Sequence, residues 1–386
     1  MKRKIAYYYD YWLVFLVASL IVIGFLLLAS ASMGVSGNWH HNSFHFLARQ
    51  GIYILVSITA ALLAFQVSLA TWYEISGQLL MASIVLLTLI LIPGVGKEVN
   101  GSTRWLNLGV GLLQVSEFAK FALVIYLASY LSRRQNEVRS EAKGFVKPLV
   151  LVGIISFLLM LEPDFGATVV IVMTMLALMF LAGSQLSGFI ALLLLLTVIL
   201  TVLATIAPYR VARLVSFLNP WERPFDSGYQ LVQSLLAFGR GGVFGVGFGN
   251  SIQKLFYLPE AHTDFLFAIL AEEFGIFGQL VIIGLFGLLV IRIFYFGYLA
   301  AVKKNWFAAY LAYGFGLLIS LQTVVNLGVN LGLLPTKGLT LPFMSYGGSN
   351  MLFNCVSVAV LLRIHHEVKL TADQGGAYDL SCSKYF

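Results

Sequence analysis

The side chain whose type and position most invite chemistry is Asp264, in the stretch LPEAHTDF. It follows Glu260 by one helical turn and His262 by two residues, where a long polar and glycine-rich segment gives way to an apolar run. A carboxylate at such a boundary can act as a general base. It can equally be an acid that complements the positive end of a helix. Two other groups of charges sit inside apolar sequence, where a charge is costly and needs a reason. Glu117 and Lys120 are spaced i,i+3 and can pair on one helical face; alternatively Lys120 faces a cavity and meets an anionic head group. Glu272 and Glu273 are adjacent and so point about 100° apart on a helix. They cannot both face one partner, and one of them is expected to bond to a neighbouring helix. Basic residues complete the set: Arg104 in NGSTRWLNLG, Arg210, Arg213, Arg223, Arg240, Lys254, and Lys337 in LPTKGLTLP. Fixed cations near a carboxylate suit a phosphate-bearing lipid whose head group reacts there, or passive anchoring to anionic lipid.

The elements that hold these residues must be membrane helices. Of 386 residues, 59% are hydrophobic and only 11% are charged, and the mean hydropathy is +0.89. A bilayer core about 30 Å thick needs roughly 20 apolar residues per helix, and only helices or closed barrels satisfy every backbone group there. The long continuous runs select helices. Ten spans are expected, at 12–30, 46–67, 77–93, 114–131, 148–161, 165–182, 186–207, 265–291, 306–334 and 342–362. Lys2, Arg3 and Lys4, then Arg133, Arg134, Arg139, Lys143 and Lys147, then Arg292, Lys303 and Lys304, and finally Arg363 and Lys369 all fall on one side of that plan. A positive excess marks the cytoplasmic side, so both termini are expected there. The net charge of +7 is this topology signal rather than a nucleic-acid footprint. The first span has no clear cleavage site and reads as a retained helix.

The plan divides the chain into a cytoplasmic N-terminus (1–11), one membrane domain (12–364) and a cytoplasmic tail (365–386), with a large external loop at about 208–263 between helices seven and eight. Within that loop SGYQLVQSLLAFG puts Tyr229, Val232 and Leu236 on one helical face and Gln230, Gln233 and Ser234 on another, a pattern that fits a helix lying along the membrane surface. The run GRGGVFGVGFGNS lacks a preceding strand and a Walker lysine, so tight turns and close backbone packing explain it better than a nucleotide site. His40, His41 and His45 have no acidic neighbours and read as solvated rather than metal-binding. Cys355 and Cys382 imply no external disulfide. Asn326 and Asn330 hint at a break in the ninth span, as a transporter would show, although no repeat accompanies them.

NGSTRWLNLG, QVSEFAKFALVIYLASYL, EPDFGATVVI, NPWERPFDSGYQLVQSLLAFGRGG, GVGFGNSIQKLFYLPEAHTDFLFAILAEEFG and LGLLPTKGLTLPFMSYGGSN occur in this order. On these blocks, from about Trp12 to Glu367, the chain resembles the SEDS family (shape, elongation, division and sporulation), its division branch most of all. The resemblance implies an all-α polytopic fold of about ten transmembrane helices. It also implies a peptidoglycan glycosyltransferase that polymerises lipid II at the outer face of the cytoplasmic membrane, at the division septum. The family's catalytic aspartate maps onto Asp264, its intramembrane lysine onto Lys120, and its other basic positions onto Arg104 and Lys337. Glu117, Gln233, Glu260, His262 and Ser345, in the same blocks, join these as expected contacts for lipid II or its diphosphate. Phe256 departs from relatives that carry an acid there, and Glu162 stands where many have Gln. Charge compensation for the diphosphate is expected from the basic residues or from Mg2+ or Mn2+, with no organic cofactor. The implied partners are a division-specific class B penicillin-binding protein of the FtsI type and other division proteins, with no nucleic acid. A lipid II flippase and a non-catalytic scaffold are the rival readings.

Overall fold

The structure, a computed structural model, describes residues 8–40, 44–99, 102–107, 109, 111–141, 143–184, 189–190, 193–194, 216–226, 228–336 and 338–373. Apolar runs become helices because a helix satisfies its own backbone within one segment. In chain order these are α1 (Tyr11–His40), α2 (His45–Gln66), α3 (Leu69–Glu74), α4 (Ser76–Ile90), α5 (Val115–Arg133), α6 (Gln135–Ser140), α7 (Lys143–Leu161) and α8 (Phe165–Leu181). After them come α9 (Tyr229–Gly241), α10 (Leu266–Val302), α11 (Trp306–Asn330) and α12 (Gly348–Asp373). Seven are long and apolar enough to cross a membrane, and α4 and α8 are shorter apolar helices. Together they account for nine of the ten expected spans; the seventh, 186–207, falls almost wholly outside the described residues, as do Arg210, Arg213 and Lys337.

The centre is α5, whose Ser116, Ala119, Ala122, Ala128 and Ser129 are all buried. Small residues let neighbouring backbones come close where lipid provides no hydrophobic drive. Helices α4, α8, α11 and α12 pack around it. Most of α2, by contrast, faces outward.

Three features depart from the expected plan. Between α4 and α5 the chain forms a small antiparallel sheet in the order β1-β2-β3: Gly96–Val99, Ser102–Asn107 and Leu112–Gln114. Strands this short and polar leave no clear period-2 signal. The tenth span begins at Gly348 rather than at Pro342, because 341–345 forms a tight turn in which the Leu341 carbonyl accepts from the amides of Met344 and Ser345. And α11 runs unbroken through Asn326 to Asn330; those asparagines serve α10 instead, as described below.

The two ends of the bundle differ in chemistry. At one end Asp10 accepts from the guanidinium of Arg292 and from Leu13 N, with His365 Nε2 4.0 Å away. Arg363 pairs with Glu367 at 2.6 Å on the same side. At the other end lie Arg104, Glu162, Asp164 and Asp264.

Candidate active site

Asp264 lies two residues before α10, and its position is fixed through its backbone. Asn326 Nδ2 and Asn330 Nδ2, one turn apart on α11, donate to the Asp264 carbonyl at 2.8 and 3.0 Å. Asn330 Oδ1 accepts from Ala268 N at 3.1 Å, an amide in the first turn of α10 that it shares with the Phe265 carbonyl. Asn326 Nδ2 also reaches the Leu339 carbonyl at 2.6 Å, so the segment before α12 is tied to the same point. That segment passes close to the acid: a Cβ added to Gly338 would stand 3.1 Å from Asp264 Oδ2. The absent side chain keeps the carboxylate uncovered there.

Other acids surround it. Glu260, at φ +55°, is held by Thr263, whose hydroxyl donates to its Oε2 at 2.6 Å and whose amide donates to its carbonyl at 3.2 Å. Asp164 caps α8 by accepting from Ala167 N at 3.2 Å, while its Oδ2 is buried without a partner. Glu162 is fully buried, and neither carboxyl oxygen has a hydrogen-bond partner. Arg104, on β2, donates from Nε to the Glu162 carbonyl at 3.2 Å and from Nη2 to the Pro163 carbonyl at 2.5 Å. These two bonds hold a cation beside the acids without cancelling its charge.

The electrostatics follow from that crowding. Burial, then the negative charge of Glu260, push the Asp264 carboxyl up to about 7, with Arg104 opposing and Asp164 adding to the rise. Glu162 is pushed up to about 8 by burial and by Asp164, again opposed by Arg104. Burial lowers the His262 imidazole below its usual range, against the pull of Glu260. Asp264 is partly enclosed rather than solvated, so its carboxyl lies near neutrality rather than in the ordinary aspartate range. A general base is most effective when poised in that range.

The remaining expected site residues are placed as follows. Lys120 is buried at 1% exposure and donates to Glu117 Oε1 at 2.7 Å, the pairing that the i,i+3 spacing allows. Lys120 and Glu117 thus form a buried pair within α5. Ser345 is buried, and its Oγ accepts from Leu341 N at 3.0 Å within the tight turn. Gln233 is half-buried on α9. The buried face of α9 carries Leu231, Val232, Ser234, Ala237 and Gly241, with Leu236 exposed, so Ser234 and Leu236 exchange their expected faces. The reason is specific: Ser234 Oγ donates to the Asn330 carbonyl at 2.8 Å, and α9 packs on α10.

Glu272 and Glu273 both make bonds, to different partners. Glu272 accepts from Arg240 Nη1 at 3.1 Å, from Ile252 N at 3.0 Å, from Gln253 N at 3.2 Å and from the Ser251 hydroxyl. Glu273 accepts from Ser30 Oγ at 2.5 Å and from Lys254 Nζ at 2.9 Å. The 100° separation sends Glu272 to Arg240 and the 251–253 segment, and Glu273 to Ser30 of α1 and Lys254. Arg240 and Lys254 are thereby spent on buried acids. The glycine-rich run closes the same region. Gly275, at φ +63°, breaks α10, and the exposed ends of the break are bonded by the loop: Val246 N and Gly247 N donate to the Glu272 and Glu273 carbonyls, and Ile276 N and Phe277 N donate to the Gly242 and Val243 carbonyls. A Cβ on Gly245 would fall 2.1 Å from the Glu273 carbonyl oxygen, so the close approach requires glycine.

Among the described residues no group of three or more His, Cys, Asp or Glu side chains converges to hold a metal ion.

The family model described as a cell cycle protein, for FtsW, RodA and SpoVE, matches residues 11–370. The chain belongs to this family. A relative from Coxiella burnetii (strain RSA 493 / Nine Mile phase I), called a probable peptidoglycan glycosyltransferase FtsW, is 54% identical over 368 residues, covering 95% of this chain and 99% of the relative. One of the same description from Legionella pneumophila is 52% identical, covering 93% and 91%. Among solved structures, a chain from a study of the structural coordination of polymerization and crosslinking by a peptidoglycan synthase complex superposes with a TM-score of 0.77 at 29% identity, covering 93% of this chain and 98% of that one. The rod shape determining protein RodA of Thermus thermophilus gives a TM-score of 0.69 at 30% identity, covering 93% and 97%. In the FtsW/RodA/SpoVE setting, the acids and Arg104 at one end of the bundle are brought together from three separate segments of sequence.

Proposed function

We propose that this chain is a peptidoglycan glycosyltransferase that polymerises lipid II into β-1,4-linked glycan strands, with Asp264 as the general base. The observation that carries the assignment to Asp264 is its setting: a carboxyl raised to about 7, beside a fixed guanidinium, with its backbone clamped by two asparagines. As base, Asp264 takes the proton from the 4-hydroxyl of the acceptor sugar. That oxygen bonds to C1 of the donor muramyl sugar while the C1–O bond to the diphosphate breaks. A single displacement turns the α-linked donor into a β-linkage, as inverting sugar chemistry does.

Arg104 is assigned to offset the charge of the departing diphosphate, which its fixed guanidinium near Asp264 supports. A divalent cation bound with the diphosphate would add charge neutralisation. Lys337 neighbours Gly338, which lies against the acid, and we assign it to the same anion. The buried Glu117–Lys120 pair is assigned a supporting role in α5.

The membrane fold has its acid cluster at one end and Asp10, Arg292, Arg363 and Lys369 on segments at the other, which fits external chemistry and cytoplasmic termini. The likeness to a chain from a peptidoglycan synthase complex supports a class B penicillin-binding protein as partner. The division-type relatives support work at the septum with other division proteins.

The direct assay supplies purified protein with fluorescent lipid II and Mg2+ or Mn2+, with and without the transpeptidase partner, and separates the products by gel. Polymer in either arm is the expected result. Translocation of lipid II in vesicles with no polymer in either arm would replace this reading with that of a flippase. The unbroken α11 already removes the sequence hint that favoured transport.

A further inference from the structure

Four aromatic rings from three distant segments meet beside Asp264. Phe46 and Tyr53 are two turns apart on α2, His262 lies two residues before the acid, and Tyr346 stands in the turn before α12. Phe46 and His262 have centroids 4.7 Å apart; Phe46 and Tyr346 meet edge to face at 5.3 Å; His262 and Tyr346 are 5.8 Å apart, and Tyr53 and Tyr346 6.1 Å. The backbone locks the cluster: Tyr346 N donates to the His262 carbonyl at 3.1 Å, and Gln50, between Phe46 and Tyr53, bonds to the Ser345 carbonyl and to Gly347 N. All four rings are half-buried, neither sealed in the core nor fully exposed. The exposed Arg49 acts electrostatically on the Tyr346 hydroxyl, as Tyr53 does. Glu260 acts on both His262 and Asp264, so ring cluster and acid share one electrostatic neighbourhood.

Aromatic residues also gather at membrane interfaces as anchors, but there they serve singly around the perimeter. These four interlock across three segments, one of which carries Asp264 two residues after His262. A pyranose ring suits such a surface: its C–H face lies on an aromatic face, while its hydroxyl and amide groups bond to polar tips such as the Tyr346 hydroxyl and the Arg49 guanidinium. We propose that Phe46, Tyr53, His262 and Tyr346, with Arg49 at the rim, form a carbohydrate subsite that stacks the acceptor N-acetylhexosamine and presents its hydroxyl to Asp264. The proposal rests on the glycosyltransferase reading and adds to it the place of the acceptor sugar. The gain is one of orientation, which converts a collision into a held geometry.

The test has a kinetic and a binding arm. Phe46→Leu and Tyr346→Leu are expected to raise the KM for lipid II about tenfold while kcat changes less than about threefold, as lost stacking should. Phe225→Leu, at an exposed aromatic in the segment before α9, is expected to leave KM unchanged; an equal rise there would mean a loss not specific to the cluster and would overturn the subsite. For binding, a Phe46→Trp protein that also carries Asp264→Asn is titrated with lipid II and with sugar-free undecaprenyl phosphate. A fluorescence shift with lipid II alone is expected. The same shift with both lipids, or with neither, sinks the proposal even if the leucine variants prove too unstable to assay. Should wild type make polymer while the leucine variants keep their KM, the subsite fails and the function stands. Should wild type make none while the sugar-specific shift persists, the converse holds.

Discussion

Exchanging Asp264 for asparagine is expected to lower the initial rate of glycan polymerisation by about a thousandfold while the protein folds normally, the loss typical of removing a positioned base. The amide keeps the side chain's shape, and the clamp from Asn326 and Asn330 is to the backbone carbonyl, which the exchange does not touch. Thermal behaviour separates lost chemistry from lost structure. The folded-state value of Asp264 is raised from 3.8 to about 7, so between those pH values the folded protein binds more protons than the unfolded chain. Stability contributed by this group therefore falls as pH rises through that window. Asparagine has no charge to bury. The melting temperature of the variant in detergent should match or exceed that of wild type, the excess being greatest above pH 7, whereas a misfolded variant would melt lower.

The second large effect concerns α5. Replacing Lys120 by methionine leaves Glu117 without its cation at the most enclosed of the described membrane-length helices. Breaking a buried pair from one side costs roughly 3–5 kcal/mol, because the remaining charge is left uncompensated. The single variant is expected to melt well below wild type and to be recovered in low yield. Replacing both residues, Glu117→Leu with Lys120→Met, removes the stranded charge, and such exchanges are often neutral. The double variant should regain most of the lost melting temperature. A double variant as unstable as the single one would show that the pair is held by more than its own charges.

Much of this arrangement was legible in the sequence because bilayer physics leaves few options: long apolar runs must be helices, and charges inside or beside them stand out. Asp264, the Glu117–Lys120 spacing and the packing role of the glycines could be read on those grounds. What could not be read depends on contacts between remote segments. The value of Asp264 is set partly by Asp164, which raises it, and by Arg104, which opposes the rise, both far away in sequence. Asn326 and Asn330 resembled a helix break because a local reading cannot see that their amides serve another helix. Ser234 looked like part of a polar face, yet it is buried to bond with α11. Adjacent acids at 272 and 273 seemed to offer one useful bond; the break at Gly275 and the loop that closes it provide partners for both. The meeting of Phe46 with Tyr346 spans nearly the whole chain, and no motif announces it.

The pH dependence of polymerisation tests the central claim most directly, since it reads the base in the working enzyme. With lipid II as substrate and metal held constant, kcat/KM is expected to fall below pH 7 with a midpoint near the Asp264 value of about 7, dropping about tenfold per pH unit once the base is protonated. A rate that stays level from pH 8 down to pH 5, in protein that remains folded, would contradict Asp264 as the base.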